Sequence, residues 1–144
     1  MTHQKILLGT VGEIEAAFYD ALSRADINAL MAVWADDEDV VCVHPGAPRL
    51  VGHAAIRNSW EGIFERSGGV QVLPMQLHAT QNSTTTVHSL VEEIYRPEGS
   101  QQALHIVATN VYVKTPLGWR MLVHHASIAP GRIQTEKTAA SMLH

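Results

Sequence analysis

The hydrophobic period of this chain changes once, from helical to strand-like, and that order limits the fold more than any other feature. Val11, Ile14, Phe18, Ala21 and Leu22 recur every three or four residues, which predicts an amphipathic helix over about 9–24. Asp26 suits the N-cap of a short second helix carrying Ile27, Leu30, Met31 and Trp34. The β-branched run Val40-Val41-Cys42-Val43-His44 stops at Pro45-Gly46 and Pro48, and Arg49-Leu50-Val51 can return as its hairpin partner. A third helix is expected over 53–67, with Ile56, Trp60, Ile63 and Phe64 on one face and Gly68-Gly69 at its end. Four strand segments follow, at about 70–81, 84–96, 102–114 and 118–129. Asn82-Ser83, Pro97-Glu98-Gly99-Ser100 and Pro116-Leu117-Gly118 separate them with turn chemistry, so the strands form an antiparallel meander. Pro74 marks an edge position or a bulge. The expected class is α+β, with three N-terminal helices closing one side of a curved antiparallel sheet over a mostly apolar pocket. One domain is expected over 9–130, with a polar tail over 131–144.

Composition removes several alternatives. A chain of 144 residues that is 46% apolar builds one core and has too few residues for two. With a net charge of −4 and no lysine- or arginine-rich run, it lacks the basic surface that nucleic acid requires. No apolar stretch approaches the roughly 18 residues of a membrane span. Ile6-Leu7-Leu8 is too short for a signal peptide, and Cys42 stands alone, so a reducing cytoplasm is expected. Nine histidines are the compositional hint of chemistry, because imidazole titrates near neutrality.

The third long strand is apolar on both faces. Leu104, Ile106, Ala108, Asn110 and Tyr112 alternate with His105, Val107, Thr109, Val111 and Val113. Helices cover one face only, so a homodimer through the open sheet face is expected.

Ala35-Asp36-Asp37, the Val40-Val41 strand, His44-Pro45-Gly46 and Gly52-His53-Ala54-Ala55-Ile56 together resemble the nuclear transport factor 2-like superfamily. Within it they are similar to the SnoaL-like and ketosteroid isomerase-like branch. Trp119-Arg120-Met121 and His124-His125-Ala126-Ser127 look like the last strand of SnoaL-like chains, and are also similar to the association domain of calcium/calmodulin-dependent kinases. The resemblance implies a cone-shaped sheet with a ligand pocket in its mouth. It places the isomerase base, an aspartate before the proline, on His44, and the strand donor on Asn110. The helix-one tyrosine falls on Phe18, with Tyr19 on a different face, so the phenol is expected to be missing. This fold carries isomerases, dehydratases, cyclases and assembly domains alike.

The residues at those positions suit proton abstraction beside a carbonyl. Desolvation keeps a pocket histidine neutral, so His44 is the candidate base and Asn110 the candidate oxyanion donor. The competing roles are structural: His44 bonding the turn backbone, and Asn110 a partnered buried amide. Phe18, Tyr19, Trp34, Trp60, Tyr112 and His125 are the candidate ligand contacts. His124 and His125 must point to opposite faces, and strand counting leaves open which one enters the pocket. That alternation excludes a two-histidine metal pair there, and no HxH or HxxxH spacing points to zinc. The expected partner is a small apolar or mixed-polarity molecule, without cofactor or metal. A non-catalytic binding or assembly domain is the rival reading.

Overall fold

Thr10 starts the first helix. Its hydroxyl accepts the Glu13 N–H and the Glu13 side chain accepts the Thr10 N–H, a reciprocal cap that fixes α1 at Val11–Arg24. The computed structural model describes residues 9–95 and 103–129. The N-terminal eight residues, the expected turn at Pro97 to Ser100 and the tail over 131–144 therefore lie outside the described residues. Asp26 caps α2 (Ile27–Ala32) through the Ala29 N–H, as its position predicted. Next come β1 (Val41–Val43), β2 (Leu50–Val51), α3 (His53–Ser67), β3 (Gln71–Gln81), β4 (Thr85–Tyr95), β5 (Leu104–Thr115) and β6 (Gly118–Ile128).

The six strands form one sheet in the order β2-β1-β6-β5-β4-β3. β3 to β6 are the expected meander, each antiparallel to the next. Asn82 closes the β3–β4 turn by accepting the backbone N–H groups of Thr84 and Thr85. β3 is an edge strand, and its pairing slips between Met75 and His78, where Gln76 takes φ +53°. Pro74 thus sits both on an edge and beside a bulge.

One pairing was not anticipated. β1 runs parallel to β6, with Cys42 opposite His124 and Val43 opposite His125. A parallel bridge from Trp34 to Met121 continues this contact, so the chain after α2 is stitched to the last strand. The inner face of the sheet carries buried Leu90, Ile106, Ala108, Tyr112, Met121 and Ala126. Against it pack the α1 stripe of Val11, Ile14, Phe18, Tyr19, Ala21 and Leu22, and Ile56, Trp60 and Phe64 of α3. The expected acidic turn, Asp36 to Asp39, is exposed throughout.

Candidate functional site

Strand register writes a polar row across the inner face. His88 on β4 pairs with Asn110 on β5, Asn110 with His124 on β6, and His124 with Cys42 on β1. Residues directly opposite on neighbouring strands share a face, so these four side chains stand side by side. Glu15, Phe18 and Tyr19 descend on the row from α1, spaced by three and four residues.

Asn110 is the hub. It is 0% exposed, and its Nδ2 group donates to Tyr19 Oη at 3.1 Å and to Glu15 Oε2 at 3.3 Å. Its Oδ1 accepts from His124 Nδ1 at 2.6 Å. This bond fixes the His124 proton on Nδ1, because a carbonyl oxygen can only accept. Burial, with the nearby His44 and His125 rings, pushes His124 down to about 3, so it is neutral at physiological pH. Tyr19 donates to Glu92 Oε2 at 2.6 Å. Burial raises the Glu92 carboxyl to about 7, against the pull of the Tyr19 bond and with a push from Glu15. Burial and the adjacent carboxylates also raise the Tyr19 and Tyr112 phenols, which therefore stay protonated donors.

Glu15 gathers the other end of the network. Its Oε2 accepts from Tyr112 Oη at 2.6 Å and His88 Nδ1 at 2.8 Å, besides Asn110. His88 therefore carries its proton on Nδ1, and its Nε2 makes no hydrogen bond among the described residues. In front of His88 lies a cavity of about 540 Å³, walled by Gln81, Lys114, Gly118, Trp119 and the 9–12 segment.

His44 sits apart from that cavity. It follows β1, with Nε2 2.7 Å from Ser59 Oγ on α3 and its ring edge-on to Trp60 at 4.7 Å. Burial lowers its pKa, which leaves it neutral. His44 and Asn110 flank His124, whose ring also packs against Phe18 at 5.0 Å and Trp60 at 6.5 Å. Both Asn110 N–H groups are already donated, so a ligand oxygen can reach one only by displacing Tyr19 or Glu15. Two expectations are corrected. Tyr19 does not face away: α1 buries both Phe18 and Tyr19, and the phenol missing at position 18 is supplied at 19. The histidine on the inner face is His124; His125 is exposed on the outer face, opposite Thr109. Phe18, Trp34, Trp60 and Tyr112 are buried as expected, with Tyr112 in the network and Trp34 in the core.

The sequence matches the family described as SnoaL-like domain over residues 11–130. The chain belongs to the SnoaL-like family. The fold is that of the nuclear transport factor 2-like superfamily, as expected. Among solved structures, this SnoaL-like domain is 32% identical to a candidate calcium/calmodulin-dependent protein kinase type II association domain from Thiobacillus denitrificans. That match covers 85% of this chain and 97% of that one, with a TM-score of 0.79. It is also 32% identical to a candidate dehydratase of the nuclear transport factor 2-like family from Streptomyces avermitilis, covering 86% and 96% at a TM-score of 0.77. A Novosphingobium aromaticivorans protein with a cystatin-like fold, 19% identical over 89% of this chain and 83% of that one, matches at a TM-score of 0.69 and shows the fold alone. None of the curated proteins matches the sequence.

Four polar members of this SnoaL-like site were not singled out from the sequence: Glu15, His88, Glu92 and His124. The signal for Glu15 was its position, four residues after Val11 and four before Tyr19, on the apolar stripe. Among the described residues no group of three or more His, Cys, Asp or Glu side chains can hold a metal ion. His53 is occupied structurally, its Nε2 lying 2.6 Å from the Ala35 carbonyl. Burial pushes the Cys42 thiol up to about 12, which removes it as a nucleophile at neutral pH.

Proposed function

We propose that this SnoaL-like domain is a cofactor-free enzyme of the lyase or isomerase type that moves a proton beside a carbonyl of a small molecule. The observation that carries the reading is the His88–Glu15 pair at the cavity. A carboxylate behind Nδ1 sets the tautomer and orients the ring, and Tyr112 and Asn110 hold that carboxylate in turn. Nε2 is then the basic nitrogen. In a dehydration it takes the proton from the carbon next to the carbonyl, and the imidazolium returns it to the departing hydroxyl as water. A placed general base of this kind contributes roughly 10²- to 10⁴-fold. The candidate dehydratase at 32% identity supports the same class of chemistry.

His44 and Asn110 keep defined places in the proposal. Asn110 becomes the oxyanion donor when a substrate oxygen replaces its longer bond, the 3.3 Å contact to Glu15. His44 is a second neutral imidazole, but no carboxylate stands behind it among the described residues, so we assign the proton transfer to His88. The test is solvent deuterium incorporation, read by NMR, across a panel of β-hydroxy and β,γ-unsaturated carbonyl compounds. His88→Ala and Glu15→Gln are expected to lower the rate of an active compound by at least 10²-fold, and His44→Ala by less than ten-fold. Full activity in His88→Ala with its loss in His44→Ala would move the base to the other end of the row.

The second reading, an assembly or ligand-holding domain, is favoured by the outer face. Val87, Val91, Val107, Val111 and Val123 share it, and Val107 is 42% exposed. The candidate association domain at 32% identity supports it. We propose a homodimer through this face, which is compatible with catalysis inside each copy. Light scattering after gel filtration at micromolar concentration should give twice the 15.8 kDa chain mass, and a monomer mass would refute it. If no compound is turned over while the chain self-associates, assembly replaces catalysis as the function. No helix among the described residues is long and apolar enough to cross a membrane. The reducing cytoplasm is the proposed setting, to be checked by cell fractionation.

A further inference from the structure

The cavity in front of His88 is charged in a way that the proton transfer alone does not require. Of the side chains that wall it, Lys114 is the one full charge, and none is acidic. Glu13, the carboxylate nearest to the wall in sequence, is turned back to the Thr10 N–H, and Glu15 lies behind His88. Lys114 is exposed, and its ammonium has neither ion pair nor hydrogen bond among the described residues. Gln81 and Thr10 add polar groups, while Val11 and the half-buried Trp119 supply apolar wall. About 540 Å³ is the size of a small-molecule site.

The net charge of the whole chain is −4, so its long-range field repels anions. Within roughly one Debye length, about 8–10 Å, the local pattern dominates. At the cavity that pattern is cationic. We infer that the cavity selects a small organic anion, a carboxylate on a flat apolar body, with Lys114 as counter-charge and Trp119 as the wall beneath the ring. The inference rests on the cavity being the ligand site and names the substrate class for the proposed chemistry: a carbonyl or hydroxy compound that also bears a carboxylate. Lys114 is a specificity-determining residue here, remote from the proton transfer that His88 performs.

Benzoate and benzamide are the probes, since they share a shape and differ in charge. The full chain, labelled with ¹⁵N, has three indole N–H signals, from Trp34, Trp60 and Trp119. Benzoate is expected to shift Trp119 alone, to bind at least ten-fold tighter than benzamide at low salt, and to weaken as salt is added. Lys114→Met is an exposed substitution that should leave the melting temperature unchanged and bring the two probes to parity. Equal affinities in the wild type, a ratio that survives Lys114→Met, shifts confined to Trp34 or Trp60, or no binding by either probe would each overturn the inference. Its failure is separable from that of the catalytic reading. Anion selectivity with unimpaired turnover in His88→Ala condemns only the base assignment. Loss of turnover in that variant with equal binding of both probes condemns only the anion selection.

Discussion

Asn110 separates the buried network into parts that cannot exchange protons through it, because a neutral amide has no proton to pass on. On one side Tyr112 and His88 converge on Glu15; on the other Tyr19 serves Glu92. Tyr19 is the residue through which Asn110 and Glu92 are coupled. Tyr19→Phe removes the donor that holds the Glu92 carboxyl down, so that carboxyl should titrate above its present value of about 7. It also strands one Asn110 N–H, at a cost of about 1–3 kcal/mol. A ¹³C NMR titration of the glutamate carboxyls, with urea unfolding alongside, reads both effects. A Glu92 midpoint that stays in place in Tyr19→Phe would show that the 2.6 Å bond is not what sets it. Adjacent helical positions 18 and 19 explain why sequence reasoning lost this phenol. They differ by about 100° around the axis, and only the width of the buried stripe decides whether both face inward.

Among the elements, those with local causes were legible. α3 begins and ends where Gly52 and Gly68 bracket it, α2 starts at its aspartate cap, and the meander follows its turn residues. The β1–β6 pairing was not legible, since parallel strands far apart in sequence leave no periodic trace. Yet that pairing decides the site, because it lays Cys42 beside His124 and delivers His44 next to Trp60. The strand-face assignment of His124 failed for a related reason. The β5–β6 register shifts between Val111 and Tyr112, and one extra residue reverses every inward-facing position beyond it. The joint between α3 and β3 rests on a close approach. Gly69 has φ +130°, and a Cβ there would lie 2.7 Å from the Ser23 carbonyl at the end of α1. Gly69→Ala should therefore cost at least 2 kcal/mol, about twice or more the roughly 1 kcal/mol of Gly46→Ala, whose φ is +73° but whose surroundings are open. Equal costs for the two in chemical denaturation would mean that the chain relieves the contact by moving.

For the whole molecule, burying ionisable groups under the helices ties stability to pH from two directions. Glu92 titrates at about 7 in the fold against 4.5 in the open chain, so the folded state holds its proton more tightly. Its contribution is complete below pH 4.5 and is lost as pH rises through 7. His124 titrates at about 3 against 6.5, so the unfolded chain binds that proton more tightly. Its contribution is complete above pH 6.5 and is lost as pH falls toward 3. Between 4.5 and 6.5 the two slopes oppose each other, which places a plateau in mildly acid solution with a decline on either side. Glu92→Gln removes one slope and leaves the other. The stability of that variant relative to the wild type should move by roughly 3 kcal/mol in the variant's favour between pH 4.5 and 7, at about 1.4 kcal/mol per pKa unit. In melting temperature that is on the order of 10 °C for a domain of this size. Thermal melts of both proteins at several pH values across this window measure it. A gap that stays constant would mean that water reaches Glu92 and keeps its carboxyl in the ordinary range, and with it would go the dry interior on which the imidazole chemistry at the other end of the row depends.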